Sequence, residues 1–312
     1  MRYQVSKPEH GSQEWLTVRW QDENGLKRIA ASSAAAIYNQ HPYMTAADLA
    51  TELLRETPPE PKQPSQAMER GNRLEPVIIE WVQSLEAIIL YTPKKLHCLN
   101  KDGARLIATI DAMCAHDDRV YEIKTISKRW DGKLPAHWYW QGVQQAACVG
   151  VHEIFWRIFD SDMMIHNYTQ WVSSDEIQMH INAAAEFLKA IDNGVLPDDV
   201  VLSYENASDL YNKPIAKQVI LNDDAMDLII RIEQIKVAKK EFEKLESEAK
   251  AELAFLMKDA EEAVIGDRVV ATWKSQKRRV FDSARFESEH PALSEKYRKD
   301  TEFRVLKTKG KK

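Results

Sequence analysis

A chain of 312 residues is long enough to bury a sizeable core, either as one large domain with an appendage or as two modest domains. Hydrophobic residues at 44% and charged residues at 29% are ordinary for a soluble globular protein, and no apolar run reaches the roughly eighteen residues of a membrane span, so a membrane protein is excluded as a class. The formal net charge of −5 argues against a nucleic-acid partner only as a total, because phosphate neutralisation is a local matter. From Lys274 to Lys312 there are thirteen Lys or Arg against six Asp or Glu, ending in KTKGKK, which reads either as a phosphate-facing surface or as a solvated terminus. The N-terminus MRYQVSKPEHGSQEW carries no apolar signal segment, and Cys98, Cys114 and Cys148 have neither metal-type nor disulfide-framework spacing, so a reducing, cytoplasmic setting is expected. Three scattered cysteines also exclude a four-cysteine iron-sulfur cluster within one chain.

In chain order, Ser12 to Trp20 reads as a short helix, and Ser32 to Tyr38, rich in alanine, as another with two hydroxyls in its first turn. After the Pro-rich loop TPPEPKQP, the stretch Gln66 to Leu85 sets Leu74, Ile78, Trp81 and Leu85 at helical intervals, predicting a core helix that carries Glu75. Strand-prone runs follow at Ile88 to Tyr91, Leu106 to Met113 and Val120 to Ile126, the last two joined by the polar turn His116-Asp117-Asp118-Arg119. Pro135 to Val149 is predicted helical, Glu153 to Phe159 and Met164 to Trp171 as strands, and Ser174 to Ile191 as a helix stopped by Asn193-Gly194. This order predicts an α/β core over residues 1–215. Residues 216–312 are expected to hold a long amphipathic helix and a small basic module. From Asp223 to Lys258, Leu228, Ile235, Phe242, Ala249 and Leu256 fall seven apart, with Ala238, Leu245 and Leu253 in a second row, and packing within the subunit is the commoner fate of such a stripe.

The segment RLIATIDAMCAHDDRVYEIKT, Arg105 to Thr125, carries the chemistry. Residues two apart on a strand share a face, so Asp111 on one strand and Glu122 with Lys124 on the next would converge if the turn centres on His116 to Asp118. Cross-strand Cβ atoms about 4.5–5.5 Å apart allow two carboxylates to share a divalent cation, which removes their mutual repulsion. Two carboxylates plus a main-chain carbonyl, here that of Ile123, suit Mg²⁺, and a lysine beside them can position water or stabilise charge on an attacked phosphate. Glu-x-Lys occurs three times in the chain, at Glu60-Lys62, Glu122-Lys124 and Glu248-Lys250, and only the second lies on a strand beside an Asp-bearing one. Alternating Asp, Glu and Lys on a solvated hairpin edge is the bland alternative. Glu75, and Gln141 with Gln145 one helical turn apart, could face the same centre or merely solvent.

The ordered set EWLTVR, ASSAAAI, RGNRLEP, ATIDAMC, YEIKT and WQGVQQAACVG, spanning Glu14 to Gly150, resembles the YqaJ-like viral recombinase family, relatives of lambda exonuclease within the PD-(D/E)XK nucleases. The resemblance implies a restriction-endonuclease-like core with a central mixed sheet flanked by helices. It implies metal binding by Asp111, Glu122 and the Ile123 carbonyl, Lys124 as catalytic lysine assisted by Gln141, and Glu75 at a second ion or its water. Arg19 and Ser32 correspond to the groups that receive a 5′-phosphate, and a guanidinium and hydroxyl near a helix start suit a terminal phosphate. Ala30-Ala31 stands where relatives carry glycine, and the long Arg19-to-Ser32 link leaves Arg28 and Ser33 as alternatives, with Gln145 a further DNA contact. The family's activity is digestion of linear duplex DNA from the 5′ end with Mg²⁺, or Mn²⁺ in its place, two ions acting together, leaving 3′ overhangs for a single-strand annealing protein. A homotrimeric ring and a phage or prophage origin in a bacterial cytoplasm go with that resemblance. The competing readings are an endonuclease of the same superfamily, such as a restriction or junction-cleaving enzyme, and a non-catalytic DNA-end-binding scaffold.

Overall fold

The computed structural model describes residues 1–61, 63–211, 218–299 and 305–308. Contacts cluster into two compact units, Met1–Tyr211 and Asn212–Lys312. The boundary expected at residue 215 and the KGKK end of the basic tail lie outside the described residues.

The first unit holds two sheets. Strands β1 (Arg2–Ser6), β2 (Ile29–Ala30), β4 (Lys95–Lys101) and β5 (Ala104–Ala108) form one in the order β1-β4-β5-β2. Strands β3 (Leu90–Tyr91), β6 (Ala112–Cys114), β7 (Val120–Thr125), β8 (Glu153–Phe159) and β9 (Ile165–Trp171) form the other in sequence order, antiparallel except for the parallel pair β7·β8. The sheets are therefore mixed, and helices flank them, giving a mixed α/β fold. The parallel step is possible because helix α4 (Ala136–Val149) carries the chain back between β7 and β8, the crossover that parallel neighbours require.

The strand-prone run Leu106 to Met113 is two strands, not one. It breaks at Thr109-Ile110-Asp111, so β5 ends in the first sheet and β6 begins in the second. Three strands, β1, β2 and β4, and the helix α2 (Ala46–Leu54) go beyond the sequence expectation. The pairing of β1 with β4 joins Arg2 to Leu99, a contact that no local pattern announces.

Helix starts follow side-chain capping. Ser12 accepts the Trp15 N–H at 3.1 Å to open α1 (Gln13–Trp20), and Ser65 accepts the Met68 N–H at 3.3 Å to open α3 (Gln66–Glu86). Ser173 and Glu176 form a capping box on α5 (Ser174–Asp192). Residues Ala31–Tyr38 wind as a 3₁₀ helix, whose alanines pack tightly: Ala34, Ala35 and Ala36 are all buried. Helix α4 ends at Gly150, whose φ of +97° favours glycine. Within α4, a Cβ on Gly142 would stand 2.1 Å from Gln170 Oε1, so only glycine lets the helix settle onto β9.

The main core, built around Trp156, Leu49, Leu53, Leu106 and Ile158, lies between the sheets, α4 and α5. A second cluster seals the opposite face of the five-stranded sheet, where Ile78, Ile79 and Val82 of α3 meet Tyr121 and Ile123 of β7. Each fully buried aliphatic side chain contributes about 1.5–3 kcal/mol, so these layers fix where β7 sits. A short helix, α6 (Tyr204–Leu210), closes the unit, with Arg55 paired to Asp209.

The second unit contains α7 (Asp223–Met257), the hairpin β10 (Glu262–Ile265) and β11 (Arg268–Thr272), and the short helices α8 (Ser283–Glu289) and α9 (Pro291–Tyr297). The long helix is present as expected, but its apolar rows are not buried. Leu228, Ile235 and Phe242 are exposed, and Met257 is the one buried residue among those described in α7. Among the described residues no helix is long and apolar enough to cross a membrane.

Candidate active site

Strand alternation divides β7 between the two cores. Tyr121 and Ile123 face α3, which leaves Val120, Glu122 and Lys124 facing α4. The β6·β7 ladder pairs Ala112 with Tyr121 and Met113 with Val120, so the next register step sets Asp111 against Glu122. Asp111 itself stands in the bend before β6, and its Oδ2 accepts the Ile123 N–H at 2.9 Å, replacing the ladder bond that a continuing strand would have supplied. A strand residue's N–H and C=O leave on the same edge, so the Ile123 carbonyl also points to the Asp111 side.

Glu122 is 2% exposed and held by three donors. Lys124 Nζ donates to Oε1 at 2.6 Å, Gln141 Nε2 donates to the same oxygen, and Gln145 Nε2 donates to Oε2 at 2.6 Å. Gln141 and Gln145 lie one turn apart on α4, so a single helix face grips both oxygens. Gln145 also donates to the Thr109 carbonyl at 3.1 Å, tying Glu122 to the bend that presents Asp111. Glu75 arrives from α3, which passes the end of β7 closely enough that a Cβ on Gly71 would lie 3.6 Å from Thr125 Oγ1.

Electrostatics match this crowding. Burial, then the charges of Glu122 and Glu75, push the Asp111 carboxyl well above the usual carboxylate range. Burial and Glu122 raise Glu75 likewise. For Lys124, burial works against the charge, but Glu122, Asp111 and Glu75 outweigh it and raise its ammonium above the ordinary lysine range. Three carboxylates therefore surround one ammonium, an excess of negative charge in a poorly solvated place.

The donor set fits a hard divalent cation. Three donors occupy three of the roughly four lone-pair directions of Glu122, and Asp111 spends one oxygen on Ile123, so oxygen ligands remain on both. Among the described residues no three His, Cys, Asp or Glu side chains form a metal cage by themselves. An ion here would take Asp111, Glu122 and the Ile123 carbonyl, with Glu75 farther out.

A separate cleft of about 500 Å³ is lined by Trp15, Arg19, Arg28, Ser32 and Ser33, with Glu52, and by Met68 and Asn72 of α3, the helix that carries Glu75. Arg19 lies 4.0 Å over the Trp15 ring and donates to Ser32 Oγ at 2.5 Å. Burial lowers the Arg19 guanidinium to about 10, opposed by Glu52. Arg28 is buried and committed elsewhere, donating to Tyr3 Oη at 2.6 Å and the Val18 carbonyl at 3.1 Å. Among the described residues, its Nε and the Trp15 Nε1, both buried on cleft-lining residues, have no hydrogen-bond partner.

The structure thus brings Asp111, Glu122, Ile123, Lys124, Gln141 and Glu75 together, and Arg19, Arg28, Ser32 and Ser33 around the cleft. Gln145, offered by the sequence both as a neighbour of this centre and as a DNA contact, is fully buried and grips Glu122. Its spacing from Gln141 was the available signal. Trp15 in the cleft had no signal beyond its place four residues before Arg19.

Residues 14–152 match the family model of the YqaJ-like viral recombinase domain. Over that stretch, which is less than half of the chain, the protein is similar to that domain. Among solved structures, an alkaline exonuclease (LHK-Exo) from Laribacter hongkongensis is 20% identical, covering 58% of this chain and 95% of its own, with a TM-score of 0.45. LHK-Exo in complex with dAMP gives 19%, 58%, 93% and 0.46. A phage related exonuclease from Haemophilus somnus gives 13%, 53%, 95% and 0.40. No curated protein matches the chain.

Proposed function

We propose that this protein is a Mg²⁺-dependent exonuclease that digests linear double-stranded DNA from the 5′ end and leaves 3′ overhangs for recombination by single-strand annealing. The observation that carries the reading is the convergence of Asp111, Glu122 and Glu75 on Lys124, with the carboxylate of Glu122 fixed by two glutamines of α4. A divalent cation, Mg²⁺ or Mn²⁺ and two during turnover, would supply charge neutralisation at the phosphate and activation of water. Lys124 stabilises charge on the attacked phosphate and orients the attacking water. Glu122 and Asp111 hold the cation side, Gln141 keeps Glu122 and Lys124 in register, and Glu75 accepts from water or meets the second ion.

Arg19 and Ser32 are the groups for a terminal 5′-phosphate, with Ser33 beside them. The unpartnered N–H groups of Arg28 and Trp15 on cleft-lining residues support an anion there, because a buried donor without an acceptor costs about 1–3 kcal/mol. Arg28 is the lesser candidate for direct contact because its other donors are spent inside the fold. DNA ends, a single-strand annealing protein and a homotrimeric ring are the partners this reading implies, with work in a bacterial cytoplasm and a phage-type origin.

The test is linear duplex labelled at either end, with and without a 5′-phosphate, incubated with Mg²⁺ beside a closed circle of the same sequence. Mononucleotide release from the 5′-labelled end, faster with the phosphate, is the expected result. Release from the 3′ end reverses the polarity. Ready cutting of the circle replaces the exonuclease with an endonuclease.

A further inference from the structure

Beside the carboxylate centre a series of rings leads outward, and the reaction steps above make no use of it. Lys124 Nζ lies 5.8 Å from the centroid of Trp156, and Trp156 stacks on Trp138 at 5.9 Å with planes 12° apart. Trp138 stacks in turn on Trp130 at 6.1 Å and touches His137 at 5.7 Å. His137 meets His41 at 5.8 Å edge-on, and His41 meets Tyr43 at 6.1 Å. Trp156 is fully buried in the main core, whereas His41 and His137 are half-buried and Tyr43 is 91% exposed. The series therefore begins in packing and ends on the surface.

His137 sits one turn before Gln141 on α4, the glutamine that donates to Glu122, so the two side chains share a helix face directed at the centre. Lys124 is near enough to act on the His137 charge. Among the described residues the His137 ring makes no hydrogen bond, and its neighbours are rings. Burial, then His41 and Lys124, lower His137 to about 4, and burial lowers His41 too, so both imidazoles are neutral near pH 7. A neutral, flat, partly open ring one helical turn from a phosphate-handling site is poorly suited to holding phosphate. It is well suited to the π-face of a base, which stacks on aromatic rings whatever its identity.

We propose that His137, backed by His41 and Tyr43, is a stacking shelf for the nucleobase of the 5′-terminal nucleotide, the one whose 3′-side phosphodiester is attacked at Lys124, a specificity-determining surface for DNA ends. The proposal rests on the nuclease reading above. Stacking is blind to sequence, so the shelf would hold any terminal base in place while the enzyme moves along arbitrary DNA.

The experiment compares two duplexes with 5′-phosphates, one ordinary and one with an abasic 5′-terminal nucleotide. Equilibrium binding of the full chain is measured with Ca²⁺, and turnover on both duplexes with Mg²⁺. Wild type is expected to bind the base-bearing end about tenfold or more tightly, the range of one base-aromatic stack. His137→Ala should reduce that preference to about twofold or less, while His137→Phe, which restores a ring without the imidazole nitrogens, should keep it. Equal affinity for the two ends in wild type, or an undiminished preference in His137→Ala, overturns the shelf while cleavage leaves the nuclease reading intact. Failure to cleave either duplex overturns both.

Discussion

Glu122 and Arg19 mark two charged regions of the first unit, and the fold holds them in opposite ways. Glu122 is almost wholly buried and receives three side-chain donors from two elements, so its carboxylate has one geometry. Arg19 is half-buried, rests on Trp15 and makes one hydrogen bond, to a serine that is itself exposed. The first region has too much negative charge and a rigid frame. The second sets two arginines and two unpartnered buried N–H groups beside Glu52, in a looser frame. A rigid acidic centre suits chemistry in which atoms must be placed to within a fraction of an ångström, whereas a looser donor-rich cleft suits capture of an anion that arrives on a flexible strand.

The widest break in that comparison comes from the acidic centre. Lys124→Ala and Asp111→Ala should each lower kcat by about a thousandfold or more while leaving affinity for duplex ends within about threefold, because each removes a group used at the reacting phosphate. Single-turnover cleavage and equilibrium binding on the same preparation separate the two. Loss of both together would mean that the centre holds DNA rather than cutting it.

A buried network ties the 3₁₀ helix to α4, the helices that carry Ser32 and Gln141. Tyr38, at the end of the 3₁₀ helix, hydrogen-bonds His180 Nδ1 at 3.0 Å. His180 Nε2 meets Gln144 Oε1 at 2.9 Å, and Gln144 donates to the carbonyls of Ile29 and Ile107. Burial lowers the His180 imidazole to about 4. Its folded value is depressed, so the neutral form is the one the fold tolerates. The unfolded chain takes up a proton below about 6.5 that the folded chain refuses until about 4. Stability is therefore complete above pH 6.5 and falls by about 3 kcal/mol as pH drops towards 4. Urea melts across that window should show the fall in wild type, and a shallower one in His180→Gln from a lower starting stability. Equal slopes in the two proteins would remove His180 from the link.

Much of this was legible in the sequence, for reasons particular to each part. The register of β6 with β7 follows from period-two alternation and a polar turn centred on His116 to Asp118, and the observed pairs carry forward to Asp111 and Glu122. The break between β5 and β6 was not legible. Residues Leu106 to Met113 are strand-prone throughout, interrupted by the polar Thr109 and Asp111 alone, and such a run gives no sign of where one sheet stops and another begins. Strand β1 was hidden for another reason, since its partner lies nearly a hundred residues away. Helical spacing put Gln145 on the face of Gln141 but gave direction and not depth. The stripe on α7 shows the converse, as periodicity marks an apolar face without saying what covers it.

The finest division lies inside the cleft, between Arg19 and Ser32. Arg19→Ala removes a charge-assisted donor, worth about 1.5–3 kcal/mol, and should weaken the preference for 5′-phosphorylated over 5′-hydroxyl ends by about ten- to a hundredfold. Ser32→Ala should do less. Its hydroxyl is exposed, so no buried group is left unpaired by its loss, and Arg19 keeps its stack on Trp15. The net contribution of one neutral hydrogen bond, about 1 kcal/mol, corresponds to about fivefold in that preference. Cleavage rates on matched ends with limiting DNA measure both variants. If Ser32→Ala costs as much as Arg19→Ala, the serine holds the guanidinium in place and the two act as one group. If Arg19→Ala leaves the preference intact, the phosphate is received by the unpartnered donors of Arg28 and Trp15 instead.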